Sequence, residues 1–354
     1  MTDIKGKNIF ITGASGFIGS YTALLFLLLG AEVYGLIRPG SEEKAEKALD
    51  TAAAVWSRKP SDYGLCSFSW EEVKPLIREH FHPVYGDIHD IEGIGGLPDR
   101  ADLVLHFAWG GVNREEIDDE AIHHRSMEAS LSLVRLSKRL GTSVFMDAGS
   151  RVEYGIKADG IMEESMDCAP INAYGRNKLL FYEQASGLCR ELSIEYYHLR
   201  FFSVYGRGDH PWSIISTLTR ELPKGETVSL SACRHSWNFM EVRDAAYAVA
   251  ELYRSSFSGR LRSGSAIVNI ASGDERLLKD FVEEIYELSG RKGSLSFGTF
   301  KQAKEGALSI IPSVERLREL TDGSFYERMS FSEGIGELLK GERYEEDKCP
   351  DTLL

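Results

Sequence analysis

Three regularly spaced glycines follow a short apolar segment near the start of the chain and precede a second apolar run. Residues 8–12 (Asn-Ile-Phe-Ile-Thr) predict a β-strand, and the next segment is Gly13-Ala14-Ser15-Gly16-Phe17-Ile18-Gly19. In a strand–loop–helix unit, Gly13 permits the tight turn, Gly16 lets the backbone approach a phosphate, and Gly19 lets the helix pack on the strand. The amides and the dipole at the start of such a helix attract an anion. The pattern predicts a βαβ unit whose loop holds the pyrophosphate of a nicotinamide dinucleotide.

Strands and helices alternate from this loop to about residue 200. The alternation predicts an α/β fold, a Rossmann-like doubly wound parallel sheet. Predicted strands cover 8–12, 31–37, 83–87, 102–108, 143–148 and 194–202, and predicted helices cover 16–29, 42–57, 70–81, 122–140 and 174–191.

The pattern is less regular beyond residue 200, where short helices (212–222, 244–253, 277–288) alternate with short strands (227–230, 237–242, 266–270). We therefore predict an NAD(P)-binding Rossmann domain over residues 1–200. Residues 201–354 form mainly a smaller C-terminal α/β substrate-binding domain, with some segments returning to the first domain. The charged end, residues 340–354, is expected to be frayed.

Charge and composition limit the kinds of molecule that the protein is expected to bind. The 354 residues carry a formal net charge of −13, so the surface repels phosphodiester backbones and nucleic acid is not an expected partner. Residues 1–8 are polar and the apolar run 24–31 is too short to span a bilayer, so neither a secretory signal nor a membrane partner is expected. The five scattered cysteines predict unpaired thiols in a reducing cytoplasm and no metal site.

Tyr174 and Lys178 are four residues apart on a predicted helix, so they share a face. A nearby ammonium is expected to lower the pKa of a phenol, which is ordinarily about 10. Tyr174 can then exchange a proton with a carbinol while hydride moves to or from the nicotinamide. Ser150, at the end of the fifth predicted strand, supplies a hydroxyl that holds the substrate oxygen beside the phenol. We predict Ser150, Tyr174 and Lys178 as the catalytic residues.

Seven segments, in order across residues 8–340, resemble the extended short-chain dehydrogenase/reductase family of NAD(P)-dependent nucleotide-sugar epimerases, dehydratases and reductases. They are Thr12-Gly-Ala-Ser-Gly-Phe-Ile-Gly19, Gly86-Asp87, His106-Phe-Ala108, Ser150-Arg-Val-Glu-Tyr-Gly155, Pro170 with Tyr174 and Lys178, Leu199-Arg-Phe-Phe-Ser-Val-Tyr-Gly206, and Trp237-Asn-Phe-Met-Glu-Val-Arg-Asp244. The resemblance implies a Ser-Tyr-Lys triad and a homodimer formed through the helices at 122–140 and 174–191.

The residues and the resemblance together give the expected ligand contacts. The resemblance implies that Asp87 and Ile88 flank the adenine and that Ala108 lies on the nicotinamide side. The expected cofactor-binding residues are Gly13, Ser15, Gly16, Phe17, Ile18, Gly19, Arg38, Ser41, Asp87, Ile88, Phe107, Ala108, Tyr174, Lys178, Phe201 and Ser203, and the expected substrate-binding residues are Trp109, Arg151, Ser203, Arg234 and Trp237.

The end of the second strand bears on the choice of cofactor. NAD-specific enzymes usually place an acid there to bind the ribose 2′-hydroxyl. Here that position holds Ile37, followed by Arg38 and Ser41. Because a guanidinium suits a 2′-phosphate, NADP is the predicted cofactor and NAD the second choice.

Departures from the family pattern reduce the number of reactions that the chain is expected to catalyse. The 4,6-dehydratases carry an Asp-Glu pair directly after the catalytic Ser or Thr, whereas this chain has Arg151 and Val152, so dehydration is set aside. The 4-epimerases often bind the diphosphate through an Arg at the position of Trp237, for which Arg234 or Arg243 is expected to substitute. The pair His123-His124 is expected to lie on a solvated helix face.

The leading hypothesis is an NADPH-dependent reductase of a nucleotide-linked 4-keto(deoxy)hexose, acting at C4. The segment Ile311-Pro312-Ser313-Val314 resembles that of deoxysugar reductases. A nucleotide-sugar 4-epimerase with retained NAD(P) is the alternative. A non-catalytic dinucleotide-binding protein is disfavoured because Tyr174 and Lys178 are both present. A reductase of a non-nucleotide ketone is disfavoured by the segment 238–244.

Overall fold

Seven parallel strands form the central sheet in the computed structural model of the chain, which describes residues 4–113, 115–156, 160–257, 264–300 and 309–346. The strands of the described residues are β1 Asn8–Thr12, β2 Glu32–Ile37, β3 Phe81–Tyr85, β4 Leu103–His106, β5 Val144–Ser150, β6 Glu195–Phe201, β7 Val204–Tyr205, β8 Thr227–Leu230, β9 Ser236–Asn238, β10 Met240–Glu241, β11 Ser265–Ile270, β12 Glu275–Leu277 and β13 Ser294–Phe297. The α-helices are α1 Phe17–Leu28, α2 Glu42–Trp56, α3 Trp70–His80, α4 Glu120–Arg139, α5 Ala173–Glu191, α6 Ile214–Glu221, α7 Val242–Ser256, α8 Leu278–Leu288, α9 Glu315–Leu320 and α10 Phe331–Glu346.

The order of strands across the sheet is β11-β6-β5-β4-β1-β2-β3. Two series of strands run outward from the β1–β4 boundary, which is the doubly wound arrangement. The prediction of a Rossmann-like doubly wound parallel sheet is therefore confirmed. The strands are apolar along most of their length because helices cover both faces of the sheet.

Helices α1, α2 and α7 pack on one face of the sheet, and α4 and α5 pack on the other. Trp56, at the end of α2, is fully buried, and its indole Nε1 donates to the carbonyl of Tyr21 at 3.2 Å. The segment between β2 and β3 is thus anchored on α1. Strand β11 pairs with β6, and α7 packs against α1, so these parts of the second half lie with the central sheet.

A third apolar cluster lies beyond the end of β6, where α6, α8 and α10 enclose short two-stranded sheets. Phe239, Phe281 and Phe331 form its centre, with ring centroids 4.7–5.8 Å apart. The predicted strand 237–242 is divided into β9 and β10, because Phe239 turns into this cluster between them.

The structure differs from the prediction at two other boundaries. The predicted third strand, 83–87, lies at Phe81–Tyr85, since Gly86 leaves the sheet against Ile94, whose Cγ1 lies 2.6 Å from the position of an added Cβ. The predicted frayed end begins too early, because α10 continues to Glu346, and residues 347–354 lie outside the described residues.

Candidate active site

The carboxyl ends of β1, β4 and β5 lie side by side. Thr12 pairs with His106, and His106 pairs with Asp147, so β1 and β4 end together and β5 continues beyond them to Ser150. The glycine loop, the segment after His106 and the catalytic candidate Ser150 therefore emerge at the same edge of the sheet. Ligands bind at this edge, where the direction of strand order reverses, in folds of this kind.

The glycine loop is a close backbone cradle. Gly13 has φ +76°, and a Cβ there would lie 2.8 Å from the amide nitrogen of Ala108. A Cβ at Gly19 would lie 2.2 Å from the carbonyl oxygen of Gly13. Gly16 caps α1 without a side-chain hydrogen bond, and the first turn carries no acid. The loop therefore fits the pyrophosphate of a dinucleotide, presented to the start of α1 with no competing side chain.

His106 fixes the segment that faces this loop. Its ring lies 2.7 Å from the Thr12 hydroxyl on one side and 2.7 Å from the Ser130 hydroxyl on the other. Burial lowers the pKa of His106 to about 3, so the ring is neutral near pH 7. The Thr12 hydroxyl also accepts from the Ala108 amide at 3.4 Å. His106 is therefore a structural bridge between β1 and α4.

The three predicted catalytic residues lie together. Ser150 ends β5, and Tyr174 and Lys178 lie in the first two turns of α5, which the Asn172 side chain caps by accepting from Gly175 at 2.8 Å. The Ser150 side chain lies near enough to the Tyr174 phenol to lower its pKa. The Nζ of Lys178 lies 5.9 Å from the centre of the Tyr174 ring.

The expected lowering of the Tyr174 pKa is wrong. Burial raises this pKa, the carboxylates of Glu153 and Asp147 raise it further, and the Ser150 side chain lowers it in part. Lys178 is buried and donates to the carbonyl of Ala148 at 2.6 Å, and burial lowers its own pKa to about 8. With its raised pKa, Tyr174 is a protonated phenol near pH 7.

Trp109 closes one side of this group. The Nζ of Lys178 lies 3.8 Å from the centre of a Trp109 ring, and Tyr174 meets the indole edge-on at 6.3 Å. The indole Nε1 donates to Nδ1 of His123 at 3.1 Å. The prediction that His123 is solvated is wrong, because this face of α4 turns inward and buries it; His124 is exposed, as expected.

The residues predicted for the adenosine end lie at the neighbouring strand ends. Arg38 is exposed directly after β2, and Ser41 precedes α2 without a side-chain capping bond. Asp87 accepts from the amide of His89 at 2.9 Å and so begins a short 3₁₀ turn. Ile88, the first residue of that turn, packs partly buried on the second core cluster. These positions suit an adenosine that extends from the glycine loop.

Aromatic and hydroxyl side chains continue the site past β6. The rings of Phe107 and Phe201 meet edge-on at 6.1 Å, and Ser203 lies partly buried just beyond. The carbonyl of Ser203 accepts from the amide of Met240 at 3.0 Å, which ties this loop to β10. Ser203 therefore lies where the central sheet meets the third cluster.

The predicted substrate residues separate into two groups. The guanidinium of Arg151 lies 5.1 Å from the centre of a Trp237 ring, and burial lowers its pKa to about 10. Arg234 is exposed. The expectation that Arg243 replaces a diphosphate-binding arginine is wrong, because Arg243 is buried in ion pairs with Glu241 at 3.1 Å and Glu337 at 3.0 Å. Arg151 is the cation that lies beside Trp237.

Sequence reasoning missed a group that we call the buried network, consisting of Asp147, Glu153, His198 and Arg200. All four side chains are at most 1% exposed. They lie on β5, on the 3₁₀ turn Arg151–Tyr154 and on β6, directly behind Ser150. The signal was the set of ionisable residues within two strands that helices cover on both faces: Asp147 in β5, and Glu195, His198 and Arg200 in β6.

Metal-binding groups, cysteine pairs and membrane-spanning helices were also sought in the part of the chain that the structure describes. No group of three or more His, Cys, Asp or Glu side chains there could hold a metal ion. Four cysteines are free, with Cys66 exposed, and Cys349 lies outside the described residues. None of the described helices combines the length and apolarity required to cross a bilayer.

Comparison with protein families gives one match over most of the chain. Residues 9–271 match the model of the NAD dependent epimerase/dehydratase family. The chain belongs to this family. The resemblance to extended short-chain dehydrogenases/reductases is thereby confirmed, together with the expectation of an enzyme of this class.

Family members with curated names are distant in sequence but similar in length. UDP-glucose 4-epimerase 4 of Oryza sativa subsp. japonica is 23% identical over 325 residues, 82% of this chain and 79% of that protein. The dTDP-6-deoxy-L-talose 4-dehydrogenase (NAD(+)) of Aggregatibacter actinomycetemcomitans is 26% identical over 309 residues, 86% of this chain and 98% of that protein.

Solved structures of the family share the fold. The UDP-N-acetylglucosamine 4-epimerase of Methanobrevibacter ruminantium M1 superposes with a TM-score of 0.74 at 18% identity, covering 96% of this chain and 99% of its own. The UDP-glucose 4-epimerase of Thermotoga maritima gives a TM-score of 0.73 at 18% identity, with the same coverage. At 18% sequence identity, this structural similarity shows a shared fold and says nothing of the substrate.

Proposed function

We propose that the protein is an NADPH-dependent reductase that converts the C4 ketone of a nucleotide-linked 4-keto(deoxy)hexose to an alcohol. The observation that carries the proposal is the placement of Ser150, at the end of β5, and of Tyr174, in the first turn of α5, at the edge that also holds the glycine loop. Bound NADPH supplies the hydride that adds to C4. Tyr174 donates its phenolic proton to the ketone oxygen, which becomes the new hydroxyl. Ser150 donates a hydrogen bond to that oxygen and holds it beside the phenol.

Tyr174 starts the reduction as a protonated phenol, the state that an acid catalyst needs. Burial and the nearby carboxylates keep it protonated near neutral pH. Dehydration finds no support, because Arg151 and Val152 occupy the positions of the acid–base pair. A guanidinium beside Trp237 is not a proton donor at neutral pH.

The relatives are compatible with two reactions at C4. The Aggregatibacter protein is named as a 4-dehydrogenase of a dTDP-linked deoxysugar and is matched over 98% of its length, which favours redox chemistry at C4. The rice protein is named as a 4-epimerase, which makes epimerisation the second candidate. An epimerase uses the same site to oxidise C4 and then to reduce it again, with the cofactor retained.

The preference for NADP rests on the end of β2. Ile37 is buried at the position where an acid would bind the ribose 2′-hydroxyl, and the next residue, Arg38, is exposed. We propose that Arg38 and Ser41 bind the 2′-phosphate. Glu42 and Glu43, in the first turn of α2, are the groups that would favour NAD if they faced the ribose instead.

The remaining assignments belong to the same proposal. Residues 1–200 bind mainly the cofactor and residues 201–354 mainly the nucleotide sugar, with Trp109, Arg151, Ser203 and Trp237 toward the sugar side. Two copies associate through α4 and α5.

The test is NADPH consumption with a set of nucleotide-linked 4-keto sugars. We expect one NADPH oxidised per sugar reduced, and Tyr174→Phe should lower kcat by about 10²- to 10⁴-fold while the protein still binds NADPH. Tyr182→Phe is the matched control, because Tyr182 lies two turns further along α5, against Tyr196. Retained cofactor with no net NADPH oxidation on any of these sugars would contradict the reductase and favour the epimerase.

Cofactor preference has its own test. Arg38→Ala should raise the KM for NADPH at least about tenfold and leave the KM for NADH nearly unchanged, because only the phosphate contact is lost. Equal effects on both cofactors would overturn the assignment of Arg38.

A further inference from the structure

We propose that Glu153 is a positioning residue that orients Ser150 for catalysis, and that the rest of the buried network exists to hold Glu153 in place. This inference rests on the proposed function, since it concerns the residue that holds the substrate oxygen. Glu153 is the third residue of the 3₁₀ turn that follows Ser150. Its Oε1 accepts from the backbone amide of Ser150 at 2.6 Å, and the Ser150 Oγ accepts from the amide of Val152 at 3.4 Å. This reciprocal pair fixes the backbone from which the catalytic hydroxyl projects.

The second carboxylate oxygen of Glu153 is held from β6. His198 Nε2 donates to Oε2 at 2.9 Å, and Arg200 Nε donates to the same atom at 2.9 Å. His198 Nδ1 donates in turn to the two oxygens of Asp147, at 3.0 and 3.1 Å. Tyr196 adds a hydrogen bond to Asp147 at 2.8 Å. Glu153 therefore accepts from three separate donors, one of which is the Ser150 amide.

The charges of the buried network balance. The two carboxylates face the guanidinium of Arg200 and the imidazolium of His198, whose pKa is raised to about 9 by the carboxylates of Asp147 and Glu153 against the effect of burial. A buried ionic group of this kind adds little net stability compared with apolar packing, and its best-attested use is to specify one geometry. The geometry specified here is that of the strand end that carries Ser150.

Gly149 shows that there is little free space between the buried network and β5. A Cβ at this position would lie 2.5 Å from Nε2 of His198 and 3.0 Å from Oε1 of Glu153. The network thus packs directly against the backbone one residue before Ser150. A shift of Glu153 must be transmitted to the Ser150 hydroxyl, because the intervening backbone is in contact with both.

The groups around Tyr174 explain why the placement of Ser150 matters. Burial and the carboxylates of Glu153 and Asp147 raise the pKa of the Tyr174 phenol, and the Ser150 side chain lowers it. The Lys178 ammonium and the His123 ring face the same phenol ring, with distances of 5.9 Å and 5.5 Å to its centre. A displaced Ser150 would weaken its interaction with the phenol and misplace the substrate oxygen. A misplacement of about 1 Å in a reacting group costs as much as about 10²-fold in rate.

A double-mutant cycle tests the proposal. Glu153→Gln keeps the shape of the side chain. It leaves one carbonyl oxygen where two carboxylate oxygens now accept from the Ser150 amide, His198 and Arg200. We expect it to lower kcat by about 10- to 100-fold and to leave the KM for NADPH within about twofold. Ser150→Ala should lower kcat by at least as much, and the double variant should be no slower than Ser150→Ala, since Glu153 acts through the hydroxyl that is already gone. Additive losses would overturn the proposal.

Glu195→Gln is the matched control. Glu195 is also a buried carboxylate of β6, bonded to Tyr197, but it pairs with Val144 at the opposite end of β5 from Ser150. This variant should leave kcat within about twofold, because it perturbs the same pair of strands far from the site. A loss equal to that of Glu153→Gln would show a general effect of buried charge and contradict positioning.

Nuclear magnetic resonance tests the geometry without any substrate. The backbone amide proton of Ser150, which donates to a carboxylate, should resonate well downfield and should move upfield in Glu153→Gln but not in Glu195→Gln. In the wild-type protein the His198 imidazole should stay protonated up to about pH 9. An unchanged Ser150 resonance, or a His198 that titrates at or below its ordinary pKa, would overturn the proposal. These spectra decide it even if no nucleotide sugar is turned over, which would refute only the proposed function.

Discussion

Replacing Gly19 with alanine should abolish tight binding of the cofactor, because the glycine is required by the contact between α1 and the loop before it. The added Cβ would lie 2.2 Å from the carbonyl oxygen of Gly13 and 3.3 Å from Cα of Ala14. Real Cβ atoms essentially never approach closer than 3.0 Å to another heavy atom, so the helix and the loop must separate by about 0.8 Å or more. Neither contact is with a flexible side chain that could rotate away.

The size of the expected loss in cofactor affinity follows from that separation of helix and loop. A hydrogen bond of about 2.9 Å from an α1 amide to a phosphate oxygen, stretched by the same amount, passes out of the bonding range. Losing one bond to a charged oxygen costs about 1.5–3 kcal/mol, which corresponds to about a 10- to 100-fold rise in the Kd for NADPH. The overpacked contact itself should lower the free energy of unfolding by about 1–3 kcal/mol.

Calorimetric titration of NADPH and NADH, with urea unfolding of the same samples, measures both effects. Gly187→Ala is the control, since an added Cβ in that α5 glycine meets nothing within 4 Å. It should stabilise the fold by about 1 kcal/mol and leave cofactor binding unchanged. Wild-type affinity of a folded Gly19→Ala protein would refute the assignment of this loop as the pyrophosphate site.

Two further predictions concern stability. Trp56→Ala should lower the free energy of unfolding by about 3–5 kcal/mol in urea titrations, because the side chain is fully buried, whereas Trp212→Ala, at a site 67% exposed, should change it by less than about 0.5 kcal/mol. The pKa of His198 is raised to about 9 from its ordinary 6.5, so its stabilising contribution is complete below pH 6.5 and is lost as the pH rises through about 9. His198→Gln should therefore be less stable than wild type at pH 6, by a gap that narrows by pH 10, and a gap independent of pH would contradict the charged state of His198.

The glycine loop and the strand–helix alternation could be predicted because their signals are local. Gly13, Gly16 and Gly19 report on one turn, and the apolar runs report on strands covered on both faces. The triad could be proposed from sequence because Tyr174 and Lys178 share one helix and Ser150 ends a recognisable strand. Each of these inferences needs only a short stretch of chain and a known period.

The features that were missed depend on contacts between elements that are distant in the sequence. The bond from His198 to Asp147 exists because β5 and β6 pair in that register, which no single strand encodes. The burial of His123 depends on how α4 packs near Trp109, and the ion pairs of Arg243 depend on α10. The direction of the pKa shift of Tyr174 follows from burial and from two carboxylates distant in sequence.

The most direct test of the central claim follows the hydride itself. The protein is supplied with NADPH that carries deuterium at C4 of the nicotinamide and with a nucleotide-linked 4-keto sugar, and the product is examined by nuclear magnetic resonance. If Ser150 and Tyr174 support reduction at C4, deuterium appears on C4 of the sugar with one NADP⁺ formed per alcohol. If the 4-keto sugar gains no deuterium and no NADP⁺ is released, while a nucleotide-linked 4-hydroxy sugar supplied to the same protein is inverted at C4, the reductase account is contradicted.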